Sequence, residues 1–226
     1  QIYVTKSNAY LCIFVDEGLG GAANNSQLQK SICCITDEFS AISCLETIKQ
    51  GFEVKLLICY ETREDVIHLV KIMDKILPRL LRSEVELEFH KISKYGKNSD
   101  DILSKNSLIT DILINSAKEK KISHISLTTS PLIFPSTYVE TLQKRVFAAG
   151  IIPHISLSGI DSEIIKNAKE IGMEKYISKI EKFATTNFTK SKPKPHKKEK
   201  ISKKIIKVRL GPNNVHTILD SLEIEH

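Results

Sequence analysis

Residues 53–80 read EVKLLICYETREDVIHLVKIMDKILPRL, and this stretch decides the fold class. Its first part, Glu53 to Tyr60, is largely apolar and has the length of a buried strand. After a short polar break, apolar side chains recur at three- and four-residue steps, at Val66, Leu69, Val70, Met73, Ile76, Leu77 and Leu80. That spacing places them on one face of a helix. A buried strand followed by an amphipathic helix is typical of a parallel sheet covered by helices.

The same alternation continues on both sides of this unit. Further strands are predicted at Ser31 to Thr36, Val85 to Lys91, His124 to Thr129 and Ile151 to Leu157. Helices are predicted at about Phe39 to Gln50, Asp101 to Lys121, Ser136 to Ala149 and Asp161 to Ile171. The sequence therefore predicts an α/β domain with a doubly wound, parallel, five-stranded sheet and a basic C-terminal tail.

Composition limits the class of protein. The chain has 226 residues, of which 41% are hydrophobic, enough for one sizeable core. No apolar run approaches the roughly 18 residues of a membrane span, so we expect a cytoplasmic protein without membrane partners. The cysteines lie in apolar runs without metal-ligand spacing, at Cys12, Cys33, Cys34, Cys44 and Cys59. They are interpreted as buried thiols, with a reactive thiol at Cys33 or Cys34 as the alternative.

Four segments divide the chain. Residues 1–30 hold a first strand and a glycine-containing loop, and 31–182 form the α/β domain. Residues 183–204 are predicted to be a basic linker, and 205–226 a small strand and helix. Between Lys190 and Arg209 there are nine lysines and one arginine but a single glutamate, so this run carries a charge of +9 and the rest of the chain sums to −3, for an overall net charge of +6.

Several short segments of the chain resemble segments of one protein family and occur in the same order. The N-terminal ones are Asn8-Ala9-Tyr10-Leu11, Gly18-Leu19-Gly20-Gly21 and the apolar Ile32-Cys33-Cys34-Ile35. The C-terminal ones are Ile151-Ile152-Pro153, Gly159-Ile160-Asp161, Ala168 to Gly172 and Tyr176-Ile177-Ser178. In order and spacing they resemble the ATP-binding (PP-loop) domain of the tRNA 4-thiouridine synthetase family, over roughly residues 8–190. The alternative is an unrelated flavodoxin-like or Rossmann-like domain.

The resemblance places the family's phosphate loop, S-G-G-x-D-S, on Ile35 to Ser40, where only Ser40 is retained. Such a loop binds phosphate through backbone N–H groups, and its glycines permit the required dihedrals. Here Asp37 and Glu38 would repel a triphosphate. Their alternative interpretations are caps of the first helix or a carboxylate pair for a metal. The positions left for a degenerate nucleotide site are Thr36, Asp37, Ser40, Thr128 and Thr129.

Two further departures from the family concern catalysis. The stretch Thr128 to Phe134 lacks the glycine and glutamine of the family's adenylate-adjacent motif, and no cysteine follows Cys59 to carry a persulfide. We therefore expect a non-catalytic homologue without a cofactor. The alternative is a divergent enzyme of tRNA thiolation or thiamine biosynthesis that binds ATP or AMP with Mg²⁺. A purely structural subunit is a third class.

The basic run suggests a partner. RNA contact is predicted for Lys190, Lys192, Lys194, Lys197, Lys198, Lys200, Lys203, Lys204, Lys207 and Arg209. The run contains no aromatic residue, so contact with the RNA backbone is expected; a solubilising spacer is the alternative. The resemblance also implies a possible homodimer, an active sulfurtransferase as partner, and an RNA-binding THUMP domain before this region.

Overall fold

The computed structural model describes residues 2–4, 9–11, 21–23, 25–96, 98–157, 159–186, 188 and 201–224. The strands within these residues are β1 Ile2–Val4, β2 Ala9–Leu11, β3 Lys30–Ile35, β4 Glu53–Tyr60, β5 Glu84–Lys91, β6 His124–Leu127, β7 Ile152–Ile155 and β8 Ser202–Arg209. β1 and β2 pair with each other in a separate antiparallel sheet. The other six form one sheet in the order β7-β6-β3-β4-β5-β8.

Seven α-helices lie within the same residues: α1 Glu38–Lys49, α2 Arg63–Met73, α3 Ser99–Lys120, α4 Ser136–Ala148, α5 Ser162–Glu170, α6 Ile177–Ala184 and α7 Asn214–Ser221. Short 3₁₀ turns occupy Leu77–Leu80 and Glu174–Tyr176. Among the described residues, no helix has both the length and the apolar composition that a membrane crossing requires.

The five predicted parallel strands are confirmed as β3 to β7. β3 pairs in parallel with both β4 and β6, and β5 and β7 extend the sheet on the two sides. The chain first builds outward from β3 to β5, then returns to place β6 on the other side of β3. Helices α1 and α2 cover one face, whereas α3 and α4 cover the other. In doubly wound sheets of this kind, ligands bind at the carboxyl ends of the strands.

The sheet has a sixth strand that the sequence analysis did not assign to it. β8 runs antiparallel to β5, with Ser202 opposite Lys91 and Arg209 opposite Glu84. It begins at Ser202, inside the segment predicted as linker, and not at residue 205. Ile206 and Val208 are buried, which explains why this lysine-rich segment pairs with the domain. An antiparallel edge strand on a parallel sheet is a common arrangement.

The core lies on both faces of β3 and β4. Ile35, Leu57 and Ile58 have no exposed surface, as expected of central parallel strands. The thiols of Cys33, Cys34, Cys44 and Cys59 are free and buried, in agreement with the interpretation as core residues, and Cys12 lies outside the described residues. Burial raises the pKa of the Cys34 thiol, which disfavours the reactive thiolate.

Candidate functional site

The N-terminus of α1 occupies the position of the predicted phosphate loop. Asp37 is the N-cap, and its Oδ1 accepts a hydrogen bond of 2.7 Å from the Ser40 N–H. In return, Ser40 Oγ accepts hydrogen bonds from the N–H groups of Thr36, at 2.8 Å, and Asp37, at 3.0 Å. Three backbone donors at this terminus are therefore satisfied by side chains of the same turn. The interpretation of Asp37 as a helix cap is confirmed.

Glu38, in the first turn of α1, makes a different set of contacts. Its carboxylate is buried and lies 2.8 Å from His68 Nε2 on α2 and 2.5 Å from Lys179 Nζ on α6. Burial alone would raise the pKa of Glu38, but the hydrogen bonds from Lys179 and His68 hold it below its ordinary value. Glu38 thus joins three helices. Among the described residues, no group of three potential ligands is placed to hold a metal ion.

A cavity of about 710 Å³ opens beside this terminus, at the carboxyl ends of β3, β4 and β5. Its lining includes Thr36 and Asp37 together with an ion pair between Lys105 on α3 and Glu61 after β4, whose Nζ and Oε1 atoms are 2.7 Å apart. Burial alone would lower the pKa of Lys105, and the partnership with Glu61 raises it above its ordinary value. The cavity therefore lies where this fold binds ligands, and it carries charges of both signs.

The second half of the predicted nucleotide site is not brought together with the first. Thr128 and Thr129 follow β6, and neither lines the cavity beside Thr36 and Asp37. Thr129 is buried, and its Oγ1 has no hydrogen-bond partner within the described part of the chain. Ser40 is also buried, and its hydroxyl is committed to the α1 cap. Of the five predicted positions, Thr36 and Asp37 alone line the cavity.

The described basic residues of the C-terminal run lie on β8 and face acidic side chains. Lys203 Nζ lies 3.3 Å from Glu88 Oε1 on β5 and 2.5 Å from Glu119 Oε2 on α3. Lys204 Nζ lies 3.0 Å from Glu223 Oε1. Lys207 and Arg209 stand opposite Glu86 and Glu84 in the β5–β8 register. The predicted residues Lys190, Lys192, Lys194, Lys197, Lys198 and Lys200 lie outside the described residues.

Glu88 is the centre of these contacts. It is buried and accepts hydrogen bonds from His90 Nε2, at 2.7 Å, and from Ser116 Oγ, at 3.1 Å, and Lys120 Nζ lies 3.2 Å away. Burial alone would raise its pKa, but the hydrogen bonds from His90 and Lys120 and the charge of Lys203 lower the pKa of Glu88 to about 2. This buried carboxylate attaches β8 to the domain.

The described residues on either side of the segment 189–200 lie near the cavity. On the N-terminal side, Thr186 lines the cavity and the Phe188 ring stacks on Phe134 with centroids 4.8 Å apart. On the C-terminal side, Ser202 pairs with Lys91, the last residue of β5, and Lys94 of the following loop lines the cavity. The chain therefore leaves and rejoins the described structure at the same edge of the sheet.

Sequence reasoning missed Glu61, Lys105 and Lys179. Glu61 directly follows a predicted strand, and the rule that ligands bind at the carboxyl ends of parallel strands could have indicated it. Lys105 and Lys179 meet their partners across 44 and 141 positions of sequence. No local pattern distinguishes such lysines from solvated ones.

Comparison with known proteins bears on the fold. No protein-family model and no curated protein matches the sequence. A solved 4-thiouridine synthetase, in complex with RNA and with bound ATP, aligns with 78% of this chain and 50% of its own length, with a TM-score of 0.56 and 16% identity. The chain shares the fold of that synthetase. A Pyrococcus horikoshii protein aligns with 75% of the chain and 49% of its own length, with a TM-score of 0.48 and 16% identity.

The chain thus spans about half the length of the solved structures it matches. The fold implied by the sequence resemblance to 4-thiouridine synthetases is confirmed. At 16% identity the likeness concerns the fold, and the activity is a separate question.

Proposed function

We propose that this chain is a non-catalytic homologue of the 4-thiouridine synthetase ATP-binding domain and that it associates with RNA. The observation that carries the proposal is the closed N-terminus of α1. In a phosphate loop, backbone N–H groups point at the ligand. Here the side chains of Asp37 and Ser40 accept hydrogen bonds from three N–H groups at this position, those of Thr36, Asp37 and Ser40.

Negative charges at the N-terminus of α1 and in the adjoining cavity also disfavour the binding of phosphate. Asp37 and Glu38 begin α1, and Glu61 and Asp65 line the adjoining cavity. At an effective dielectric constant near 20, a carboxylate about 4 Å from a phosphate costs on the order of 4 kcal/mol. Lys105 and Lys179 are already paired with Glu61 and Glu38. A triphosphate would have to break these pairs or bind only the exposed lysines of the lining, Lys94 and Lys182.

RNA association is supported by the lysines between residues 190 and 200. The segment carries six lysines and one glutamate, and its flanking residues lie at the carboxyl edge of the sheet. Lysines that track a phosphate backbone release counterions on binding, so affinity falls as salt rises. The solved 4-thiouridine synthetase with this fold is itself a complex with RNA.

Calorimetry with ATP and with AMP, each with Mg²⁺, tests the non-catalytic part of the proposal. We expect dissociation constants no tighter than about 1 mM, which corresponds to about −4 kcal/mol. A micromolar dissociation constant would instead support a divergent nucleotide-binding enzyme of tRNA thiolation or thiamine biosynthesis. The cavity at the carboxyl ends of the strands is the observation that favours this second candidate.

Salt titration of RNA binding tests the other part. Replacing Lys197, Lys198 and Lys200 by alanine should reduce the magnitude of the slope of log affinity against log salt by about 2 to 3, for different RNA sequences alike. The matched control replaces Lys118, Lys144 and Lys166, which removes the same charge from α3, α4 and α5. Equal slopes for the two triple variants would leave the segment as a spacer.

A further inference from the structure

The six-stranded sheet ends in strand β7 on one side and in strand β8 on the other. β7 has 4 residues, and Pro153 is one of them. The Ile152 N–H points toward β6 and bonds to the Ser123 carbonyl, so the next residue, Pro153, faces the open side of the strand, where a proline has no N–H to donate. β8 has 8 residues and no proline. Of these two edges, β8 is therefore the one that is suited to pairing with a further strand.

The hydrogen bonds between β8 and β5 determine which backbone groups of β8 face outward. The Leu210 N–H, directly after β8, bonds to the Ser83 carbonyl at 2.9 Å, and the register of the two strands places these residues opposite each other. Because hydrogen-bonded pairs alternate along an antiparallel ladder, the even-numbered residues of β8 bond to β5. The outward N–H and C=O groups belong to Lys203, Ile205, Lys207 and Arg209. Within the part of the chain that the structure describes, no strand pairs with them.

The side chains of these four residues lie together on one face of the sheet and are exposed. It is the face that α3 covers, because Lys203 reaches Glu119 on that helix. Ile205 lies between Lys203 and Lys207 and is 42% exposed, which is unusual for an isoleucine on a strand. The edge therefore combines unpaired backbone groups with an apolar side chain and flanking cations.

The charges on this edge select the partner. Glu86, opposite Lys207, pairs with Lys120 of α3 at 2.5 Å, and among the described residues neither Lys207 nor Arg209 forms an ion pair. A second copy of β8 would bring its own cations against these, so the edge disfavours self-association. A strand with carboxylates at alternate positions would be attracted instead. β5 is complementary in this way on the inner side, since Glu84 and Glu86 stand opposite Arg209 and Lys207.

We infer that the outer edge of β8 binds an extended acidic segment of a partner protein, which adds a further strand to the sheet. Carboxylates at alternate positions of that segment contact Lys207 and Arg209, and an apolar side chain beside them covers Ile205. Main-chain hydrogen bonds to β8 supply affinity, and the alternate side chains supply specificity. The interaction is separate from the proposed RNA association, because a nucleic acid has no series of N–H and C=O groups that matches a strand edge.

Fluorescence anisotropy with the full chain and a labelled peptide, in which glutamate and threonine alternate around a central valine, measures the binding. We expect a dissociation constant of about 100 μM or tighter at about 0.15 M salt. Methylating the backbone nitrogens of the valine and of the two threonines beside it keeps every charge and removes donors to β8, so affinity should fall at least about tenfold. Because this change is made in the peptide, it cannot affect the folding of the protein.

Substitutions in the protein test the charge complementarity. Lys207→Glu with Arg209→Glu should weaken the peptide at least about tenfold, and both side chains are exposed, so urea midpoints should show that the domain still folds. The matched control, Lys197→Glu with Lys198→Glu, reverses the same charge in the segment 189–200. It should change the affinity by less than about threefold at the same salt concentration.

Amide hydrogen exchange followed by NMR locates the bound peptide. Saturating peptide should slow exchange about fivefold or more at the outward N–H groups of Lys203, Ile205, Lys207 and Arg209, and not at the even-numbered residues already bonded to β5. Equal affinity for the methylated and unmethylated peptides, or unchanged exchange at the four outward amides, would overturn the inference and leave a non-specific attraction between charges. An RNA of about twelve nucleotides should not protect these amides. If RNA protected them and displaced the peptide, the ligand of this edge would be a nucleic acid, which would also overturn the inference.

Discussion

Helix α1 begins with backbone N–H groups that attract phosphate, and strand β8 carries lysines that do the same. Both kinds of group have partners within the protein, but the partners of the N–H groups are close in sequence and those of the lysines are distant. At α1, the backbone N–H groups of Thr36, Asp37 and Ser40 bond to side chains within four positions. At β8, Lys203 meets Glu88 and Glu119, which lie 115 and 84 positions earlier. A local cap at α1 and a long-range ion pair at Lys203 therefore occupy phosphate-attracting groups at both places.

The two arrangements also differ in energy. A helix cap contributes about 1 kcal/mol and is formed as soon as the helix is. The β8 contacts combine burial of Ile206 and Val208 with the buried Glu88 carboxylate, and they exist only in the folded domain. Disturbing β8 should therefore lower the free energy of unfolding several times more than disturbing the cap.

Removal of residues 201–226 should have the largest effect. The deletion exposes the β5 edge and takes away the buried side chains Ile206, Val208, Ile218 and Leu219. At about 1.5 to 3 kcal/mol for each, the loss is on the order of 6 kcal/mol or more, which rivals the total stability of a domain. Urea unfolding monitored by circular dichroism should show a strongly shifted or absent transition.

The matched variant replaces residues 189–200 by a glycine-serine segment of equal length. Its free energy of unfolding should stay within about 0.5 kcal/mol of the wild type, because the replaced residues are polar or proline apart from their lysine stems. If this variant unfolded as readily as the truncated one, the contrast between the two parts of the basic run would not hold.

The Glu88→Gln substitution should lower the free energy of unfolding by about 3 kcal/mol, the amount that corresponds to the lowered pKa of Glu88. It leaves Lys203 and Lys120 without the buried carboxylate that they share. Glu84→Gln on the same strand is the control, since Glu84 is exposed and its loss should change stability by no more than about 0.5 kcal/mol. Similar effects of the two substitutions in urea titrations would contradict the central role of Glu88.

Stability should depend on pH in the acid range because of Glu88. The pKa of Glu88 lies at about 2 in the folded protein, below the ordinary value of 4.5, so its stabilisation is complete above pH 4.5 and is lost as the pH falls toward 2. The lost contribution is about 3 kcal/mol. Between pH 4.5 and 2 the wild type should therefore lose about that much more stability than Glu88→Gln, as measured by urea midpoints at each pH.

The sequence predicted the features that depend on neighbouring residues and missed the contacts between residues that are distant in the chain. The five parallel strands and the Asp37 cap were predicted because strand length, helical period and cap residues are properties of neighbouring positions. The pairing of β8 with β5 was not predicted, because it depends on residues of β5 that are distant from β8 in the sequence. The ion pairs of Lys179 and Lys105 were not predicted for the same reason, since their carboxylate partners are distant in sequence.

Loss of the α1 cap should have the smallest effect on the free energy of unfolding. Asp37→Ala removes the acceptor of the Ser40 N–H and should lower the free energy of unfolding by about 1 kcal/mol, whereas Asp37→Asn retains a capping oxygen and should change it by a few tenths. Neither variant should gain affinity for ATP beyond the millimolar range, because Ser40 Oγ still holds the Thr36 and residue-37 N–H groups and Glu61 and Asp65 remain in the cavity. Paired urea titrations and calorimetry measure both quantities. Micromolar ATP binding by Asp37→Ala would show that a single carboxylate closes the α1 terminus, and the hydrogen bonds of Ser40 would then be an insufficient explanation.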